Sequence, residues 1–211
     1  MARYKNGPMG TFSGKLGTVV GANWKGISYM RSKGISPRKK PTAAQLDMRL
    51  KFSTVARFVH RINEPLMKLY PGTDSLTGSN QAFSHVYRKA LIGTYPNYAL
   101  DYSKICISKG ALQNVSDCEL IAEGNGIISF KWTDNANGNM ANADDNCALL
   151  AYCPEMHSAV FKMEGVHRSA TTSSLNMLNY KGKSFHTWIT FINTHDNEVA
   201  TSIYTGELLV V

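Results

Sequence analysis

The glycine-flanked lysines are the first residues in this sequence whose types and spacing suggest chemistry. Ser13-Gly14-Lys15-Leu16 resembles the end of a phosphate-binding loop, and Gly182-Lys183-Ser184 ends like one. Such a loop needs a glycine five residues before the Gly-Lys glycine and a Ser or Thr after the lysine. Met9 and Leu16 break the first candidate and Met177 breaks the second, so both read as glycine turns. The histidines at 60, 85, 157, 167, 186 and 195 form no H-x-H or H-x-x-x-H pair. None stands at ligand spacing from Cys106, Cys118, Cys147 or Cys153, so no zinc site is expected. The cysteines contain no C-x-x-C pair, and a chain of this length folds without disulfides, so reduced, partly buried thiols are expected. No G-x-S-x-G elbow supplies a nucleophile. The loop from Asp134 to Asp145 is rich in carboxylate and amide oxygens, which makes Asp134, Asp144 and Asp145 a weak calcium candidate. EF-hand spacing is not met, because Gly138 as sixth residue would put Thr133 first; a polar hairpin loop is the plainer reading. No catalytic residue, no metal centre and no cofactor is expected, and the chain reads as a non-enzyme.

What rises above this background is charge. Residues 1–71 hold fourteen Lys and Arg against Asp47 and Glu64, a net +12, while residues 72–211 carry nine basic and thirteen acidic side chains, a net −4. Such asymmetry marks a basic arm that meets an anionic partner: nucleic acid, a membrane surface or the acidic half of another copy. Within the arm, cations alternate with Tyr4, Phe12, Trp24 and Tyr29. Cations neutralise phosphates and aromatic rings stack on bases. The candidate partner- or nucleic-acid-binding residues are Lys15, Trp24, Lys25, Tyr29, Arg31, Lys33, Arg38, Lys39 and Lys40.

The elements that position these residues follow from periodicity. Residues 1–41 form a glycine-rich basic arm, in which 17–21 and 27–31 read as two short strands joined by the turn Asn23-Trp24-Lys25-Gly26. Ser36-Pro37-Arg38-Lys39-Lys40-Pro41 is an extended basic linker. Residues 42–100 are a helical segment. Thr42-Ala43-Ala44-Gln45 is a capping box opening a helix from Ala43 to about Asn63, with Met48, Phe52, Val55, Val59 and Ile62 as one apolar stripe and Pro65 ending or kinking it. A second helix is expected from Asn80 to Leu91, capped by Ser79 and stopped by Gly93. Its apolar face of Phe83, Val86, Tyr87 and Ala90 is expected to pack on the first stripe. From Asp101 the period becomes two, and strands are expected at 103–108, 118–123, 127–133, 147–153, 158–163, 166–170, 173–178, 185–193 and 199–211. Short strands at such spacing indicate a β-sandwich over 101–211. The fold class is α+β: a basic hairpin arm and two helices, then an antiparallel sandwich.

Trp132 on an early strand, Tyr152 on a middle one, and the run Leu175-Asn176-Met177-Leu178 before Gly182 and Phe185-His186-Thr187-Trp188 give residues 127–210 a resemblance to fibronectin type III and immunoglobulin-like sandwiches. The tyrosine usual near that turn is replaced by Phe185, His186 or Trp188. Nearly the whole chain also resembles an uncharacterised family from Bacteroidota, through Ser13-Gly14-Lys15-Leu16-Gly17, Trp24-Lys25-Gly26, Thr42-Ala43-Ala44-Gln45, Ser108-Lys109-Gly110, Trp132-Thr133-Asp134 and Ser202-Ile203-Tyr204-Thr205-Gly206. The arm running into a helix looks like segments of bacteriophage structural proteins. These resemblances and the charge imply a structural or adaptor protein in a larger assembly, phage-like or filamentous, docking through its arm onto protein partners or further copies of itself. The alternative is a nucleic-acid-binding protein using residues 1–68. Carbohydrate or surface binding through Trp24 and Trp188 is a third, weaker reading. Met1 is followed by no apolar leader core, and no run approaches a membrane span, so a cytoplasmic or virion-associated location is expected.

Overall fold

A computed structural model describes residues 2–3, 12–35, 40–70, 72, 76–138, 140–193, 195 and 198–211. The chain forms two compact units, residues 1–42 and residues 43–211. The first is a four-stranded antiparallel sheet of β1 (Ala2–Arg3), β2 (Gly14–Leu16), β3 (Val19–Trp24) and β4 (Ile27–Ser32) in the order β1-β4-β3-β2. The expected hairpin is its centre: Trp24 pairs with Ile27 around a Lys25-Gly26 turn with φ of 49° and 77°. Two positive φ values match the right-handed twist of the flanking strands, which is why glycine stands second. A lone hairpin is marginal in water, and here strands on both sides extend it. The basic linker residues 36–39 lie outside the described residues.

In the second unit, α1 (Ala43–Arg61) runs into α2 (Asn63–Leu69), and α3 (Gly78–Lys89) follows. Pro65 does not end the helical chain. It sits in the first turn of α2, where its missing N–H is not needed, and the break falls at Ile62. The cap of α3 is Thr77, whose hydroxyl accepts from the Asn80 N–H, rather than Ser79. Gly93 does not stop that helix, since it lies at φ 94° in the hairpin of β5 (Leu91–Thr94) and β6 (Asn97–Leu100). The expected stripe on α1 is half buried. Val55, Val59 and Ile62 are sealed with Phe58, while Met48 and Phe52 stay exposed.

The remaining strands are β7 (Cys118–Gly124), β8 (Ile127–Trp132), β9 (Asn146–Cys153), β10 (Ser158–Lys162), β11 (Thr172–Asn176), β12 (Ser184–Asn193), β13 (Glu198–Val199) and β14 (Ile203–Leu209). They make a three-stranded sheet β11-β8-β7 against a sheet β10-β9-β12, with β13 and β14 both on β12. This is the antiparallel two-sheet plan of the expected fibronectin type III-like sandwich. Three expected strands differ. Residues 102–104 and 168–170 are short 3-10 turns, and 199–211 is split between β13 and β14. Alternation at Ile105 and Ile107 misleads because both side chains are buried without a strand ladder: the Ser202 hydroxyl accepts from the Ile107 and Ser108 N–H groups instead.

The central strands β9 and β12 are buried on both faces. Cys147, Leu149, Ala151, Ile189 and Phe191 fill the space between the sheets with Ile128, Phe130 and Trp132. Ala148, Leu150, Tyr152 and Trp188 point the other way, onto Phe58, Ile62, Leu66 and Val86 of the helices. The helical segment therefore has no core of its own; across the expected 100/101 boundary it forms a third layer on the sandwich. Trp188, expected to be exposed, is fully buried, with its indole N–H donating to the Ile105 carbonyl at 3.0 Å.

Candidate functional site

The register of the N-terminal sheet sorts its side chains. Residues directly opposite on antiparallel strands share a face, and positions alternate along each strand. Lys15 pairs with Val20, which pairs with Arg31; Ala22 pairs with Tyr29; Trp24 pairs with Ile27. Lys15, Val20, Ala22, Trp24, Ile27, Tyr29 and Arg31 thus lie on one face. The opposite face carries Leu16, Val19, Asn23, Ser28, Met30 and Ser32, with Phe12 laid over Gly21. A Cβ at Gly21 would stand 2.7 Å from two Phe12 ring carbons, so glycine is what lets that ring close down. Gly21 is the one buried position among residues 12–35. Leu16, Trp24, Ile27 and Ile35 are exposed, Trp24 at 43% and Ile35 at 94%.

The sequence-derived candidates fall into place on this sheet. Four of them, Lys15, Trp24, Tyr29 and Arg31, come together on the one face. Lys25 sits in the turn with its ammonium 5.3 Å from the centre of the Trp24 ring, a cation–π contact. Lys33 follows β4, its N–H donating to the Thr18 carbonyl at 2.8 Å, and Lys40 is exposed. Arg38 and Lys39 lie outside the described residues. The first 42 residues hold nine Lys and Arg and no Asp or Glu.

The acidic loop resolves differently. Asp145 does not face outward for a cation. It is 1% exposed and accepts from Arg168, itself fully buried, with one carboxylate oxygen 2.9 Å from Nη2 and 3.2 Å from Nε. The same oxygen accepts from the Asn142 N–H, while its other oxygen, Oδ1, has no partner among the described residues. Arg168 also donates to Asn135 Oδ1 and the Gln113 carbonyl, its guanidinium lies 4.1 Å from the centre of the Phe191 ring, and its carbonyl accepts from the Trp132 indole. Asp134 accepts from the Ala136 N–H, and Asp144 stands 3.5 Å from His195. Charge spacing in the sequence points to Asp145 but not to this partner, because Arg168 reads there as an ordinary strand residue. Among the described residues no group of three His, Cys, Asp or Glu could hold a metal ion. The four cysteines are free thiols; burial pushes Cys118 up to about 11 and moves Cys147 and Cys106 upward too, away from nucleophilic thiolate.

A second surface lies where the two expected helix stripes meet. Met48, Arg49, Phe52, Phe83 and Tyr87 line an open hollow of about 440 Å³ between α1 and α3, and the Phe52 and Phe83 rings stand 4.8 Å apart. No helix among the described residues is long and apolar enough to cross a membrane.

A family model described as "Family of unknown function (DUF6266)" matches residues 11–206, so the chain belongs to that family. No curated protein matches the chain. Among solved structures, the fn3 domain of human collagen alpha-1(XX) chain is similar at 12% identity and a TM-score of 0.36, over 49% of this chain and 90% of that one. The FN1-FN3 domains of chicken CNTN1 are similar at 10% identity and a TM-score of 0.39, over 49% of this chain and 33% of theirs.

Proposed function

We propose that this member of the DUF6266 family is a non-enzymatic structural or adaptor protein, a subunit of a larger assembly that docks through its N-terminal basic sheet. The observation that carries this reading is the contrast between composition and burial in residues 12–35. Residues 12–35 display Leu16, Trp24, Ile27 and Ile35 yet bury only Gly21. A small sheet of this kind is marginal without something laid against it, and nine cations with no anion give that something a negative charge. The sandwich and its helical layer serve as the body that carries the sheet. The test is hydrogen exchange at β2–β4 amides, in the chain alone and in the complex recovered with the tagged full chain from its native source. Fast exchange alone and protection in the complex are expected. A strict monomer at high concentration, with those amides already protected and no partner recovered, overturns the reading.

A further inference from the structure

We infer that the Lys15–Arg31 face of the N-terminal sheet binds single-stranded nucleic acid, with Trp24 and Tyr29 as stacking platforms and Lys15 and Arg31 on the phosphates. The inference rests on the reading of this sheet as the docking surface and adds the partner's class. Three features select that class. Lys15, Trp24, Tyr29 and Arg31 share one face, whereas the other carries Leu16, Val19, Asn23, Ser28, Met30 and Ser32 beneath the Phe12 ring and no Lys or Arg. Trp24 and Tyr29 are diagonal neighbours across β3 and β4, a pair spacing of about 7–8 Å, so two successive bases can each find a ring. Lys15 and Arg31 flank Val20 in one row across three strands, roughly 10 Å apart at two strand spacings. Rings on this face can stack only on bases that are already unstacked, which a single strand presents and a duplex does not. An acidic protein surface could also engage these side chains, and titration with a single strand separates the two partners.

The three tryptophans make the test specific. Trp132 is 4% exposed and Trp188 fully buried, so a change in indole fluorescence on adding a ligand reports on Trp24. The full chain is titrated with oligodeoxythymidine of about 16 nucleotides and with a duplex of the same length. Saturable quenching by the single strand is expected, with log affinity falling linearly with log salt by about 0.7 per phosphate neutralised. The duplex should bind more weakly. Trp24→Ala, read by anisotropy of a labelled strand, should weaken binding about 5- to 100-fold. Lys15→Gln and Arg31→Gln should each lower both the affinity and the salt slope. Lys15 is exposed on an edge strand, so its variant tests the face without threatening the sheet. The inference is overturned by absent quenching and anisotropy change at low salt, or by binding that Trp24→Ala and Lys15→Gln leave intact. If either occurs while β2–β4 amides are still protected in the recovered complex, the docking reading stands with a protein partner. If that protection is absent too, both fall.

Discussion

In residues 43–211 the strands β9 and β12 are buried on both faces, with the facing sheet on one side and helices on the other. In the N-terminal sheet the described residues enclose little more than Gly21 beneath Phe12. The larger unit encloses a cluster of aromatic residues: Phe58, Tyr102, Tyr152 and Trp188 meet edge-on or tilted at centroid distances of 4.8–6.4 Å. The smaller displays its indole beside cations. Similar residue types are therefore enclosed in one unit and displayed in the other, and substitutions at equivalent types should separate a role in stability from the proposed role in docking.

The largest effects belong to the body. Asp145→Ala leaves Arg168 buried without its counter-charge and is expected to cost about 3–5 kcal/mol in urea unfolding. Replacing both partners with apolar residues of similar volume should recover much of that loss. Phe58→Ala should cost about 3–5 kcal/mol. It should lower helix and sheet signals in a single transition, because Phe58 belongs to the core that both share; two separated transitions would refute the common layer. A middle-sized effect is set by pH. Burial holds His85 and His186 below the ordinary histidine value, helped at His85 by Lys109 and Lys89 and opposed at His186 by Glu207. The unfolded chain then binds more protons, so stability is complete above about pH 6.5 and declines as pH falls through the lower folded values. Melting temperature should drop between pH 7 and pH 5, and His186→Phe should flatten that drop. Thr77→Ala removes the cap of α3 and should cost about 1 kcal/mol. Smallest of all, Trp24→Ala should change the unfolding of residues 43–211 by less than about 0.5 kcal/mol while altering docking.

What the sequence disclosed follows the same division. Strands β7 to β12 were legible because one- or two-sided burial leaves a clear alternation or a clear apolar run, as in Ile128-Phe130-Trp132 and in β9. The cation and aromatic candidates were legible as a list, but their sharing of one face was not. That depends on register, and register depends on the two-residue Lys25-Gly26 turn placing Trp24 opposite Ile27. The helix stripe overreached at Met48 and Phe52 because periodicity reports which side chains share a face, not whether anything covers it. The layering of helices on the sandwich was hidden for a related reason. Leu150 and Leu149 look alike in sequence, yet one faces helices and the other faces the second sheet.

Arg168 carries a consequence for how this family can vary. Its guanidinium holds Asp145, Asn135 and the backbone of Gln113, so three separate stretches of chain end on one side chain. Such a group changes as a unit or not at all. Related chains that replace Arg168 should replace Asp145 as well, and those that keep the pair should vary in length between Asn135 and Asp145 only at the tip near Gly138.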